Sequence, residues 1–186
     1  MNEHGTKLTP SHQPMVEIFE EHLRAEFETM SVEGALETMV EDPYVNHVPV
    51  LTGGVGKESL RRFYSDHFVG RMPPDLEMIP ISRTVGEDRL VVEMVIRFTH
   101  TVEMAWMLPG VPPTGKRIEF AIVIIVQFRN GKMAHEHIYW DQASVLVQLG
   151  LIDPSGLPVA GVDSARKVLD PKLPSNQLIE RAGRDR

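Results

Sequence analysis

The chain has 186 residues, no cysteine and a formal net charge of −7. That length fits one domain with tails and a substantial core, and the lack of cysteine removes disulfides, thiolate nucleophiles and Cys-based zinc sites. The acidic balance, broken only by isolated pairs such as Arg61-Arg62 and Lys116-Arg117, argues against nucleic acid or an anionic membrane as partner.

Residues 1–14 are polar, contain Pro10 and Pro14, and read as a flexible arm with no apolar stretch of a signal peptide. Val16, Phe19, Leu23, Phe27 and Met30 recur at spacings of three and four, one face of an amphipathic helix. Ser31 suits the cap of a second helix with apolar Val32, Ala35, Leu36, Met39 and Val40, stopped by Pro43. Residues 44–50 read as a short strand. Gly53, Gly54 and Gly56 form a loop that is not a phosphate cradle, because Lys57 is followed by Glu58. A third helix over 57–68 buries Leu60, Phe63 and Phe68, and Pro73-Pro74 closes the helical half.

The rest is strand-like. Residues 76–85 and 90–102 flank the turn Gly86-Glu87-Asp88. Residues 104–115, with three prolines and two glycines, form a loop that carries Met104, Trp106, Met107 and Leu108. Apolar residues on a loop serve as a lid or a subunit contact, or fold back on the core. Strands 116–129 and 132–140 are joined by Asn130-Gly131, which suits both positive-φ positions of a type I′ hairpin. A short helix over 141–149 stops at Gly150. Residues 153–186, with four prolines, read as an extended tail over the domain or a partner subunit. The longest apolar run, residues 121–126, is too short to span a bilayer, and a cytoplasmic location is expected.

A two-residue turn sets the hairpin register. Counting back from Arg129 opposite Lys132 pairs Phe128 with Met133, Val126 with His135, Ile124 with His137, Ile122 with Tyr139 and Phe120 with Asp141. One face then carries five apolar residues beside four polar ones, the mixture expected of a pocket wall. The opposite face, with Ala121, Val123, Ile125, Ile138 and Trp140, is too apolar for water. It implies a homodimer, or cover by the C-terminal tail.

The order of elements resembles the cone-shaped nuclear transport factor 2-like fold, an α+β fold with a curved antiparallel sheet on N-terminal helices around an apolar pocket. Pro112-Pro113-Thr114-Gly115-Lys116, Asn130-Gly131-Lys132-Met133, His135-Glu136-His137-Ile138-Tyr139-Trp140-Asp141 and Gln148-Leu149-Gly150-Leu151 resemble the SnoaL-like branch, as does Asn46-His47-Val48-Pro49. The likeness covers residues 15–152. It implies cofactor-independent acid–base catalysis, with Asp141 at the position of the cyclases' acid–base residue. The limonene-epoxide hydrolases are a related group. Tyr44 and Asn46 match their water-holding residues, but Met94 and Ile96 stand where their Arg and Asp belong, which argues against epoxide opening.

The expected site follows. Asp141 removes a proton beside a carbonyl, and Tyr139 or His137 stabilises the oxyanion; Asp141 also suits a helix cap. His137 lies about 13 Å along the strand from Asp141, at ~3.3 Å per residue, too far for a direct bond. Tyr44, Asn46, His47, Phe120, Ile122, Ile124, Trp106 and Met107 are the expected substrate contacts. Strand alternation lets only one of Asn46 and His47 face the pocket. His100 reads as a strand-end residue, exposed or at the pocket mouth. His135 and His137 share a face at metal-ligand spacing, but the surrounding cupin-like pattern is incomplete, so no metal and no cofactor are expected. The expected partner is a small apolar molecule, and the expected outcome is cyclisation, isomerisation or elimination of a carbonyl or polyketide-like compound. A hydrolase related to the epoxide-opening group and a ligand-binding protein without catalysis are the alternatives.

Overall fold

A computed structural model describes residues 12–184. The helix α1 spans Gln13–Phe27, with a proline in its first turn, where the missing N–H costs nothing. It therefore includes Gln13 and Pro14, which the sequence assigns to the arm; residues 1–11 of that arm lie outside the described residues. The buried face of α1 holds Val16, Phe19 and Ala25, and also His22 and Glu26.

Ser31 caps α2 (Val32–Glu37), accepting from the Gly34 N–H at 3.0 Å. This helix ends earlier than expected. Met39 and Val40 already belong to β1 (Met39–His47), and Pro43 sits within that strand. The pairing of β1 is irregular between Met39 and Tyr44, so Pro43 falls where the ladder is broken and no N–H is needed. The glycine segment is strand β2 (Thr52–Val55), not a loop. A Cβ on Gly53 would lie 2.1 Å from the Val45 carbonyl oxygen, and its φ is +133°, so glycine permits this close pairing.

The helix α3 spans Lys57–Phe63 and continues as a π-helical turn, Tyr64–Phe68. The strands β3 (Glu77–Val85), β4 (Arg89–Thr99), β5 (Arg117–Arg129) and β6 (Lys132–Trp140) follow. The six-stranded sheet has the order β2-β1-β6-β5-β4-β3. The pairing of β1 with β6 is parallel and the others are antiparallel. Between β4 and β5 the loop residues Met104, Trp106, Met107 and Leu108 are buried: they fold back on the core. Full burial of an aromatic or leucine contributes roughly 1.5–3 kcal/mol each.

Asn130 and Gly131 have φ of 54° and 72°, as the type I′ turn requires. Arg129 pairs with Lys132 and Phe128 with Met133, as counted. The register then shifts, and Gln127 pairs with His135. Ala134 is the extra residue of a β-bulge. Beyond it every β6 side chain lies on the opposite face from the one counted. Ile122 pairs with Trp140, Ile124 with Ile138 and Val126 with Glu136. The consecutive burial of Met133 and Ala134 marks the bulge.

The helix α4 spans Gln142–Gln148. Gly150 ends it at φ 69°, with Gly150 N–H donating to Val147 and Leu151 N–H to Leu146, a Schellman pattern. The segment after residue 152 is not simply extended. It forms α5 (Asp163–Leu169) and α6 (Gln177–Arg184). The helix α5 lies against β4 and β5, buries Ala165, and pairs Arg166 with Glu119 at 3.2 Å. It thus covers part of the outer sheet face. No helix among the described residues is long and apolar enough to cross a membrane.

Candidate functional site

The inner face of the sheet, α1 and the π-helical turn enclose a cavity of about 60 Å³. Ile122, Ile124, Met94, Ile96 and Phe98 line it from the sheet, with Phe27, Tyr64, Phe68 and Trp106 from the helices and loop. Four polar or titratable side chains join them: Glu26, His47, Tyr64 and Glu136. Leu23, Glu26, Phe27, Met72, Leu76 and Met78 also line an adjoining groove of about 740 Å³. The cavity therefore continues outward past Glu26 and the methionines.

The bulge decides which β6 residues reach this cavity. Glu136 and Ile138 line it, and Trp140 is buried on the same face. His135 and His137 lie on the other face, stacked at 4.6 Å, with Tyr44 against His137 at 5.4 Å. Tyr139 is 41% exposed. The placement of His137 and Tyr139 in the pocket is thus corrected. Asp141 is an exposed N-cap: it accepts from the Ser144 N–H at 3.0 Å and the Ser144 hydroxyl at 2.5 Å. Its carboxylate does not line the cavity.

On β1 the alternation resolves to Val45 and His47 inward, Tyr44 and Asn46 outward. Phe120 and Met107 are buried but do not line the cavity, whereas His47, Ile122, Ile124 and Trp106 do. His100 is buried away from the cavity, its Nδ1 accepting from the Thr114 N–H at 3.3 Å.

The sequence reading missed a cluster made by three elements. His22 is fully buried. Its Nε2 lies 3.0 Å from Glu26 and 3.7 Å from Glu136, and the Tyr64 hydroxyl is 3.4 Å away. The opposite nitrogen fixes the proton. The Thr38 hydroxyl donates to the Ala35 carbonyl at 2.6 Å, so at 2.7 Å it accepts from His22 Nδ1–H. With Nδ1 donating and Nε2 facing carboxylates, the ring is an imidazolium. Burial pulls its pKa down, but Glu26 and Glu136 outweigh that and raise it to about 9. Burial raises the Glu136 pKa to about 7, against the opposing pull of His22. Burial also keeps the Tyr64 phenol neutral, with its pKa raised well above the usual value. At His47 burial dominates and lowers the pKa to about 4, so this imidazole is neutral at pH 7.

Ligand atoms of His22, Glu26 and Glu136 lie within 4.8 Å of one another, so these three are the candidates for holding a metal. The hydrogen-bond geometry supports a proton in that role, bridging Nε2 and Glu26. One signal was available beforehand: His22 and Glu26 sit at i and i+4 beside an apolar helix face, where two unpaired polar groups would be costly.

The family model for SnoaL-like polyketide cyclases matches residues 20–149. A SnoaL-like polyketide cyclase structure from Jannaschia sp. CCS1 is 20% identical with a TM-score of 0.61, covering 80% of this chain and 100% of that one. AclR from Streptomyces galilaeus, named a hydroxylase, is 20% identical with a TM-score of 0.57, covering 76% and 99%. IdmH from Streptomyces antibioticus, named a polyketide cyclase, is 23% identical with a TM-score of 0.54, covering 75% and 99%. These likenesses show the nuclear transport factor 2-like fold. A comparison with curated proteins finds no match.

Proposed function

Because the chain belongs to the SnoaL-like polyketide cyclase family, we propose that it is a cofactor-independent acid–base enzyme of the cyclase, isomerase or lyase type. Its substrate is a small, largely apolar carbonyl compound. The observation that carries this reading is a carboxyl poised near neutrality, Glu136, opening on an apolar cavity and backed by the buried His22–Glu26 pair.

The Glu136 carboxylate takes a proton from the carbon beside the carbonyl and becomes a neutral acid. The electron pair of that C–H bond moves into the enolate. Glu136 then returns the proton at another atom, or the enolate closes a ring or expels a leaving group. A base with a pKa near the working pH suits both steps. The His22 imidazolium holds negative charge in the cluster, and Thr38 keeps the ring in orientation. In this reading Asp141 serves as the helix cap, and His137 and Tyr139 lie on the outer sheet face.

The hydrolase alternative is weaker here. Met94 and Ile96 line the cavity, while Tyr44 and Asn46 point away from it. A binding protein without catalysis would leave the perturbed carboxyl without a task. A homodimer through the outer sheet face is part of the proposal, supported by the exposed Tyr139 and the half-buried Val123 and Ile125 beside it. A cytoplasmic location is part of the same proposal.

The test is exchange of the α-protons of 2-indanone, a planar enolisable ketone, in deuterium oxide. The wild type accelerates exchange and Glu136→Gln does not. Equal exchange by the two proteins contradicts the assignment, and no acceleration by the wild type favours the binding protein.

A further inference from the structure

The cavity has a second polar station, away from Glu136. Trp106 is 5% exposed, and its Nε1–H is buried with no hydrogen-bond partner. Among the described residues it is the one such atom on a side chain that lines the cavity. The neighbouring Trp140 differs, since its Nε1–H donates to Gln142 at 2.6 Å. An unmade buried hydrogen bond is costly and calls for a partner.

His47 stands beside it, with ring centroids 5.2 Å apart. Its Nδ1–H donates to the Thr52 carbonyl at 3.3 Å, which leaves Nε2 as an acceptor. Burial lowers the His47 pKa to about 4, so Nε2 keeps its lone pair at neutral pH. Thr52 also fastens the tryptophan, its hydroxyl donating to the Trp106 carbonyl at 2.5 Å. One residue thus locks a bare donor and a bare acceptor into a fixed pair. Phe63 and Phe68 pack around His47 at 5.6 and 5.7 Å.

We infer that this station binds a hydroxyl group of the ligand, a phenol or an enol, which accepts from Trp106 Nε1–H and donates to His47 Nε2. The inference rests on the reading of this cavity as the substrate site. Chemistry separates the candidates. A carbonyl oxygen satisfies Trp106 but faces the lone pair of His47. An ammonium donates to His47 but leaves Trp106 bare. A carboxylate meets the lone pair and gives up its charge solvation. A hydroxyl satisfies both.

The strands give the spacing. His47 is level with Ile138, and Glu136 is level with Val45, two residues away. The stations are therefore about 7 Å apart along the strands at ~3.3 Å per residue, close to the span of one substituted six-membered ring. The groove joins the cavity at Glu26, Met72 and Met78. A ligand entering there leads with its hydroxyl, sets its enolisable carbon near Glu136, and leaves its apolar tail among the methionines.

The test compares 4-propylphenol with 4-propyltoluene, which differ only in a hydroxyl for a methyl. Affinities are measured by ligand-observed NMR on wild type, Trp106→Phe and His47→Leu. The phenol-to-toluene affinity ratio falls about five- to tenfold in each variant, the share of one hydrogen bond. On the wild type, the indole N–H resonance of Trp106 moves downfield with the phenol and not with the toluene, a readout that needs no variant. An unchanged ratio in either variant, or an indole resonance blind to the hydroxyl, overturns the inference and leaves the station to water. Glu136→Gln keeps the ratio. Should that variant still exchange 2-indanone protons while the ratio depends on Trp106, the acid–base assignment falls and the hydroxyl station stands.

Discussion

Replacing His22 with leucine keeps an apolar volume but removes the charge between Glu26 and Glu136. The folded-state pKa of His22 is raised from 6.5 to about 9. A raised pKa means that the native state holds the proton more tightly, so its stabilisation is complete below pH 6.5 and is lost as pH rises through 9. The shift corresponds to about 3 kcal/mol, at ~1.4 kcal/mol per pKa unit. Two other groups act at lower pH. His47, lowered to about 4, contributes stability above pH 6.5 that is lost as pH falls to 4. Glu136, raised to about 7, has the opposite sign: its stabilisation is present below its unfolded value of 4.5 and lost as pH rises to 7. Those two nearly offset one another between pH 4.5 and 6.5. The wild type should therefore show a plateau between about pH 4.5 and 6.5, then lose about 3 kcal/mol through His22 by about pH 9.5, with under about 1 kcal/mol more through Glu136 as pH reaches 7. His22→Leu starts roughly 3–5 kcal/mol lower at neutral pH, because two buried carboxyls lose their counter-charge, and its slope above pH 6.5 is shallower by the His22 share, with Glu136 the group that still titrates. Urea denaturation followed by circular dichroism at constant ionic strength measures both. An identical slope in the two proteins refutes the reasoning.

Asp141→Ala should cost about 1 kcal/mol, the worth of an N-cap, and should leave 2-indanone exchange intact; thermal unfolding and the exchange assay check the two halves. Gly53→Ala places a methyl against the Val45 carbonyl at an unfavourable φ, and should destabilise the fold by at least about 2 kcal/mol in a urea titration. Light scattering should return twice the 21.0 kDa chain mass for the wild type, and a monomer for Tyr139→Glu, whose new charge falls on the outer sheet face.

The fold was legible because its signals are local. The helix periodicity of α1, the Ser31 cap, the Asn130-Gly131 turn and the Gly150 stop each impose their own geometry. The apolar row of β5 also pointed inward as read. The site was less legible because one residue outweighs those signals. Ala134 bulges without a glycine to announce it, and that exchanges His137, Tyr139 and Asp141 for Glu136, Ile138 and Trp140. The alternation held a warning. Ile138 and Trp140 are more apolar than His137 and Tyr139, and a core face prefers the former pair. The His22–Glu26–Glu136 cluster was hidden for another reason. It is assembled by contacts between α1 and β6, more than a hundred positions apart; the i, i+4 pair of His22 and Glu26 signals only the α1 half, and nothing within β6 points to Glu136 as the rest. The C-terminal helices are short, seven and eight residues, and the prolines that flank them dominated the reading.

The central claim is that the working carboxyl of this protein belongs to Glu136 in the cavity and not to Asp141 at the helix cap. Its most direct test is the pH dependence of 2-indanone exchange for the wild type, Glu136→Gln and Asp141→Asn. The account predicts that the wild-type rate rises with pH through a midpoint near 7, that Asp141→Asn keeps this limb, and that Glu136→Gln abolishes it. A limb that survives in Glu136→Gln and vanishes in Asp141→Asn would contradict the account.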